Sequence, residues 1–203
     1  MKRLISVVIS IVFAIACGAK PVAAVDQTAV FAGGCFWGVE AVFEHVKGVK
    51  SVVSGYSGGT LSTANYEDVS SGGTDHAESV KVVFDPAKVS YVQLLTIFFA
   101  VAHDPTELNK QGPDHGRQYR SAIFYADETQ KKAGLDYIKA IDASKALAKP
   151  VVTEVVKLKQ FYVAEDYHQN YMKKNPKDRY IVINDAPKVA DLKNRFPDLY
   201  VDK

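Results

Sequence analysis

The chain has 203 residues, with 25 Lys and Arg against 23 Asp and Glu and a formal net charge of +2. Its first 24 residues, a basic MKR, an apolar run too short to span a bilayer and small residues at Val22 and Ala24, read as a signal peptide cut after Ala24. Cleavage removes Lys2, Arg3 and Lys20 and no acid, which takes the charge from +2 to −1 over 179 residues and gives no basis for binding nucleic acid or an anionic membrane.

The leader predicts export to the periplasm or the cell exterior, with no membrane attachment after cleavage. A lipoprotein cut before Cys17 is the alternative, although AIA precedes it without the usual leucine three residues ahead. Residues 25–203 are expected to form one domain, because they hold no repeat, no low-complexity tract and no linker rich in Gly, Ser or Pro. Cys35 is the one cysteine of that stretch, so no intramolecular disulfide can form and the fold must rest on its core.

In chain order, AVFAG reads as a short strand. Phe36, Val39, Phe43 and Val46 then recur at helical spacing, which starts a helix near Cys35. VKSVVSGYSGG is a β-branched strand entering a glycine loop. ESVKVVFD is another strand, with Val80, Val82 and Phe84 alternating with polar neighbours. VSYVQLLTIFFAVAHDP reads as a helix that stops before Pro105, SAIFYA as a strand, and ETQKKAGLDYIKAIDASKALA as a long amphipathic helix running to Ala148 before Pro150. VVTEVV is a further strand. AEDYHQNYMKKNP reads as a helix ending near Asn175, and PKVADLKNRF as a helix with proline at its first position. Residues 54–79 and 103–120 form long polar loops of the kind that carry function.

Gly33 and Gly34 permit a sharp turn from strand to helix and set Cys35 at a helix N-terminus, where unpaired N–H groups and the dipole favour thiolate. A buried structural cysteine fits the same residues, since free cysteine is among the most buried residue types. Phe36 and Trp37, consecutive on a helix, point different ways, so one is expected in the core and the other beside the thiol.

GGCFWG followed by the helical VE-A-V-F pattern resembles the A-type peptide methionine sulfoxide reductases. The similarity continues in order through NYEDVSSGGTDHAESVKVVFDP, HDPTELNKQGPDHGRQYRSAIFY and FYVAEDYHQNYM. The resemblance implies an α+β fold, a two-layer sandwich with a ferredoxin-like core, extended loops and a C-terminal extension. It implies a peptide-methionine (S)-S-oxide reductase in which Cys35 attacks the sulfoxide sulfur and Glu78 protonates its oxygen. Tyr66 and Tyr119 would hold that oxygen, Asp114 would join them through ordered water, and Phe36 and Trp37 would receive the methyl group. No cofactor is implied. His76, His115 and His168 lack the close Cys/His pairing of a zinc site, so no metal is expected either.

Two departures from the family pattern carry consequences. Relatives often hold a resolving cysteine in the C-terminal tail or at position 38, whereas this tail has none and position 38 is Gly38. An external thiol, thioredoxin-like, glutaredoxin-like or small, must then reduce the Cys35 sulfenic acid. Asp75 stands where relatives often have glycine; its carboxylate is expected to raise the Glu78 pKa by repulsion if the two lie close. A monomer is expected. The competing readings are a cysteine hydrolase pairing Cys35 with a His or Glu, and a redox-sensing or peptide-binding module.

Overall fold

The computed structural model describes residues 25–203; the leader expected over residues 1–24 lies outside them. The elements are β1 (Gln27–Gly33), α1 (Phe36–Glu44), β2 (Val49–Ser57), α2 (Tyr66–Ser70), β3 (Ala77–Phe84), α3 (Tyr91–Ile97), β4 (Lys110–Gln111), β5 (Asp114–His115), β6 (Ser121–Tyr125), α4 (Glu128–Ser144), β7 (Glu154–Lys157), β8 (Phe161–Val163), α5 (Tyr171–Lys174) and α6 (Ala186–Arg195).

Six strands form one sheet in the order β7-β6-β1-β3-β2-β8. Within it β1 runs antiparallel to β3 and β6, and β2 antiparallel to β3. The sequence β1-α1-β2-β3-α3-β6 on the strand order β6-β1-β3-β2 is the ferredoxin-like core expected from the sequence. The chain extends that core at both edges. After α4, β7 joins β6 in parallel, and β8 joins β2 antiparallel. A parallel neighbour requires a long crossover, which α4 supplies.

The core lies between the sheet and α1 and α3. Phe31 of β1 stacks against Phe43 of α1 with centroids 5.3 Å apart, and against Phe98 just beyond α3 at 4.9 Å. All three rings are fully buried, each contributing about 1.5–3 kcal/mol of hydrophobic stabilisation. The opposite face of the sheet buries Val30, Ala32, Ala77, Ala122 and Phe124, so β1 is covered on both sides.

Several expected boundaries move for tertiary reasons. The long helix α4 ends at Ser144 because Lys145 turns left-handed at φ 52°, short of Ala148. VVTEVV is strand only from Glu154. AEDYHQNYMKKNP holds a single helical turn, α5: Asn170 is left-handed at φ 54°, and the preceding residues spend their side chains on distant partners. The helix α6 begins at Ala186, directly after a π-helical turn over Ile181–Asp185, so Pro187 is its second residue and not its first as expected.

One such contact sits on α1. Glu40 is 1 % exposed; its Oε2 accepts the Asn170 N–H at 2.9 Å, while Oε1 has no hydrogen bond. Next to it Gln169 takes both the N–H and the C=O of Ser54 at 2.9 Å, so α1, β2 and the C-terminal segment are joined at one buried point. Burial pushes the Glu40 carboxyl up to about 7, and the Asn170 N–H only partly opposes this. A folded pKa above the ordinary 4.5 means that the folded chain binds the extra proton, so stability falls as pH rises from about 4.5 through about 7. Glu40→Gln keeps the acceptor for Asn170 and removes the charge. Denaturant unfolding is expected to find the variant more stable than the parent at pH 8, by up to roughly 3 kcal/mol, with the gain gone at pH 4.

Candidate active site

At the end of β1, Gly34 adopts φ +92°, and a Cβ there would stand 2.6 Å from the Gln111 side chain, so only glycine fits the turn. Cys35 follows as the N-cap of α1, 8 % exposed and without a side-chain capping bond. The cap comes from elsewhere: the Phe36 N–H, the first orphan donor of the helix, donates to Glu78 Oε2 at 3.0 Å across 42 residues. Glu78 lies on β3 opposite Tyr56 of β2 and is 2 % exposed.

Cys35 and Glu78 face a cavity of about 170 Å³, lined also by Phe36, Trp37, Tyr66, Asp114, Tyr119 and Tyr180. All seven residues singled out in the sequence therefore meet around one space, together with Tyr180. Phe36 and Trp37 both reach it, rather than one going to the core alone, because Phe36 is both core and wall.

Each wall is fixed from a different element. Trp37 stacks flat on Tyr171 at 3.7 Å and meets Tyr180 edge-on. Its Nε1–H donates to His168 Nδ1 at 3.1 Å. Burial holds the His168 pKa down, so the neutral ring keeps that nitrogen free to accept. Tyr66 opens α2, capped by Asn65, and donates its own N–H to Glu165 Oε1 at 2.9 Å. Glu165 Oε2 accepts the Tyr56 hydroxyl at 2.8 Å. Tyr119 ends a tight turn before β6. The adjacent Arg120, 4 % exposed, donates to the carbonyls of Asp75, His76 and Arg117, tying the approach to Glu78 to the Tyr119 turn. Tyr180 donates a very short hydrogen bond to Asp114 Oδ2.

The charges set the protonation of the site. Burial, more than any neighbour, pushes Glu78 up to about 8; Asp114 and Asp185 add to it, and the Phe36 N–H opposes. Near neutral pH Glu78 is thus a carboxylic acid. The Cys35 thiol is pushed well above its ordinary value by burial, then by Glu78 and Asp185. This corrects the expectation of a resting thiolate. The helix end offers one opposing N–H, that of Trp37, while its first donor is already taken by Glu78. Tyr66 and Tyr119 are both pushed upward, first by burial, and remain neutral hydroxyls.

Asp75 is not the residue that acts on Glu78. It is exposed on the turn before β3, three residues away along an alternating strand, and the like charges that reach Glu78 are Asp114 and Asp185. Asp185 is fully buried with Lys188 on its Oδ1 at 3.1 Å, and that oxygen fills the place of a side chain at position 38: a Cβ on Gly38 would lie 2.1 Å from it. Of the three histidines weighed for a metal, His76 is held by Gly59 and Thr60, His168 by Trp37, and His115 is exposed on β5. Among the described residues no cluster of three or more His, Cys, Asp or Glu is arranged to hold a metal ion.

Tyr180, Glu165, Tyr171 and Asp185 escaped the residue-by-residue reading, and His168 was weighed there only as a metal ligand. All lie in the C-terminal extension, and the segment FYVAEDYHQNYM was the one sign that part of it belongs to the site.

A buried thiol beside a buried acid on a ferredoxin-like sheet, with no second cysteine among the described residues, defines an α+β protein of the thiol-enzyme class. Comparison with known proteins narrows this. Residues 27–199 match the family "Peptide methionine sulfoxide reductase". The chain is 55 % identical to peptide methionine sulfoxide reductase MsrA 2 of Mesorhizobium japonicum, over 88 % of this chain and 91 % of that one. It is 48 % identical to MsrA of Deinococcus radiodurans, over 89 % and 87 %. Among solved structures, reduced Mxr1 from Saccharomyces cerevisiae superposes with a TM-score of 0.68 at 32 % identity, covering 75 % of this chain and 87 % of that one. Methionine sulfoxide reductase A of Corynebacterium diphtheriae gives 0.65 at 34 %, covering 74 % and 76 %. The chain belongs to the A-type peptide methionine sulfoxide reductases, oxidoreductases that reduce methionine sulfoxide in peptides.

His168→Leu leaves the Trp37 N–H without its partner and loosens the wall it belongs to. Thermal unfolding is expected to show a loss of about 1–3 kcal/mol, and KM for a methionine sulfoxide peptide should rise more than kcat falls. Alkylation of Cys35 by a small reagent should proceed at the parent rate.

Proposed function

We propose that the chain reduces the S epimer of methionine sulfoxide in peptides and proteins, with Cys35 as nucleophile and Glu78 as proton donor. The observation that carries this is the burial of Glu78 in the same small cavity as the Cys35 thiol, where the Phe36 N–H positions it and burial, against that bond, favours its acid form. The sulfoxide methyl lies against Trp37 and Phe36, and its oxygen turns to Glu78, Tyr66 and Tyr119. Apolar and hydroxyl walls on different sides suit one epimer, in keeping with one enzyme per epimer.

Glu78 protonates the oxygen while the Cys35 sulfur attacks the sulfoxide sulfur, and the thiol proton returns Glu78 to its acid form. Coupling the two transfers accounts for a thiol that is neutral at rest. The oxygen with one proton ends on Cys35 as a sulfenic acid, two electrons pass to the methionine sulfur, and methionine leaves. A first external thiol then forms a mixed disulfide with loss of water, and a second restores Cys35. Thioredoxin-like, glutaredoxin-like or small thiols serve as donors. The leader at residues 1–24 supports export, so the substrates are oxidised proteins of the periplasm or exterior.

Mixed with an S-sulfoxide peptide in the absence of reductant, the protein is expected to release one methionine and form one sulfenic acid per chain; Cys35→Ser should release none. A Cys35→Ser protein that still turned over would remove the mechanism, and acyl-enzyme formation with esters would favour a hydrolase instead. Glu78→Gln keeps an acceptor for Phe36 but has no acidic proton, so sulfoxide reduction should fall about 10²–10⁴-fold while Cys35 alkylation persists. Because the acid form acts, the rate of the reduction step should decline as pH rises through about 8.

A further inference from the structure

Cys35 borders a second cavity, of about 80 Å³, lined by Gln111, Gly112, Pro113, Asn184 and Lys188 and sharing Asp114 and Tyr180 with the first. The hydrogen-bonded pair Tyr180–Asp114 is therefore the partition between two compartments that meet at the same cysteine. Their chemistry differs. The first holds the acid and most of the rings. The second carries the Lys188 ammonium and the Asn184 amide, whose Nδ2 donates to the Tyr180 carbonyl at 3.1 Å and leaves its oxygen free. Gly112 forms an open rim there: a Cβ added to it would meet nothing within 4 Å.

We propose that the second compartment is the port through which an external thiolate reaches the oxidised Cys35. The proposal rests on the Cys35–Glu78 mechanism, which leaves the sulfenic oxygen on the side of Glu78, Tyr66 and Tyr119. Displacement at sulfur is in line, so the incoming sulfur must approach from behind that oxygen, away from the first cavity. The thiolate sulfur bonds to Cys35 Sγ, the Sγ–O bond breaks, and the oxygen leaves as water with the Glu78 proton; the proton released by the thiol restores the acid. Lys188, 24 % exposed and engaged on one side by Asp185, attracts the thiolate. The same chemistry admits a small thiol or the exposed dithiol of a thioredoxin-like protein.

Single-turnover methionine release followed by reduction of the sulfenic acid separates the two halves of the reaction. Asn184→Phe puts a larger side chain into the second cavity and adds nothing to the lining of the first. Methionine release should keep its parent rate, while sulfenic acid reduction by dithiothreitol and by a thioredoxin should fall at least about tenfold, as reactions do when one partner is displaced. A fall with one donor alone assigns the port to that donor; no fall with either overturns the proposal. If Asn184→Phe also loses methionine release, Lys188→Gln decides. The rate ratio of anionic 2-mercaptoethanesulfonate to cationic cysteamine should then drop by about threefold or more, and an unchanged ratio overturns the port. Absence of methionine release from the parent protein would instead refute the Cys35–Glu78 mechanism itself.

Discussion

The hydrogen bond from the Phe36 N–H to Glu78 is the contact on which the site depends. A helix leaves its first N–H groups without partners, and a carboxyl group buried in a sheet needs donors; each supplies what the other lacks. The bond fixes α1 against β3 and brings the residue just before the helix, Cys35, face to face with the acid. Because Glu78 takes the first N–H, the thiol gains little from the helix end, and burial keeps both groups protonated.

The rest of the cavity is built by enclosing that pair. The extension beyond β7 supplies Glu165, His168, Tyr171 and Tyr180, which hold Tyr66 by its backbone, Trp37 by its indole nitrogen and ring face, and Asp114 by a carboxylate oxygen. Burying three acids, Glu78, Asp114 and Asp185, near one thiol costs stability as pH rises, since all three are held above the ordinary carboxylate range. The result is a buried site in which a protonated carboxyl and a thiol coexist near neutral pH.

The absence of a second thiol among the described residues has a structural counterpart. Asp185, paired with Lys188, fills the space a side chain at position 38 would need, so the helix face beside Cys35 is occupied by an ion pair. The same pair lies at the start of α6, beside the second opening onto Cys35.

Much of this was legible in the amino-acid sequence. β-branched alternation and helical spacing placed β1, α1, β2, β3, α3, β6 and α4, because these signals are local and the buried faces repeat along the chain. The segments around Cys35, Tyr66, Glu78, Asp114 and Tyr119 were recognisable as motifs. The sequence alone thus determined the core elements, the family and the absence of a second cysteine after residue 24. Only the tertiary structure decided the protonation of the thiol and the acid, the replacement of Asp75 by Asp114 and Asp185 as the charges facing Glu78, and the breaking of the AEDYHQNYMKKNP helix. The physical reason is range: desolvation and like-charge repulsion at Cys35 come from residues 43 to 150 positions away, and no local pattern encodes which of them the fold brings together.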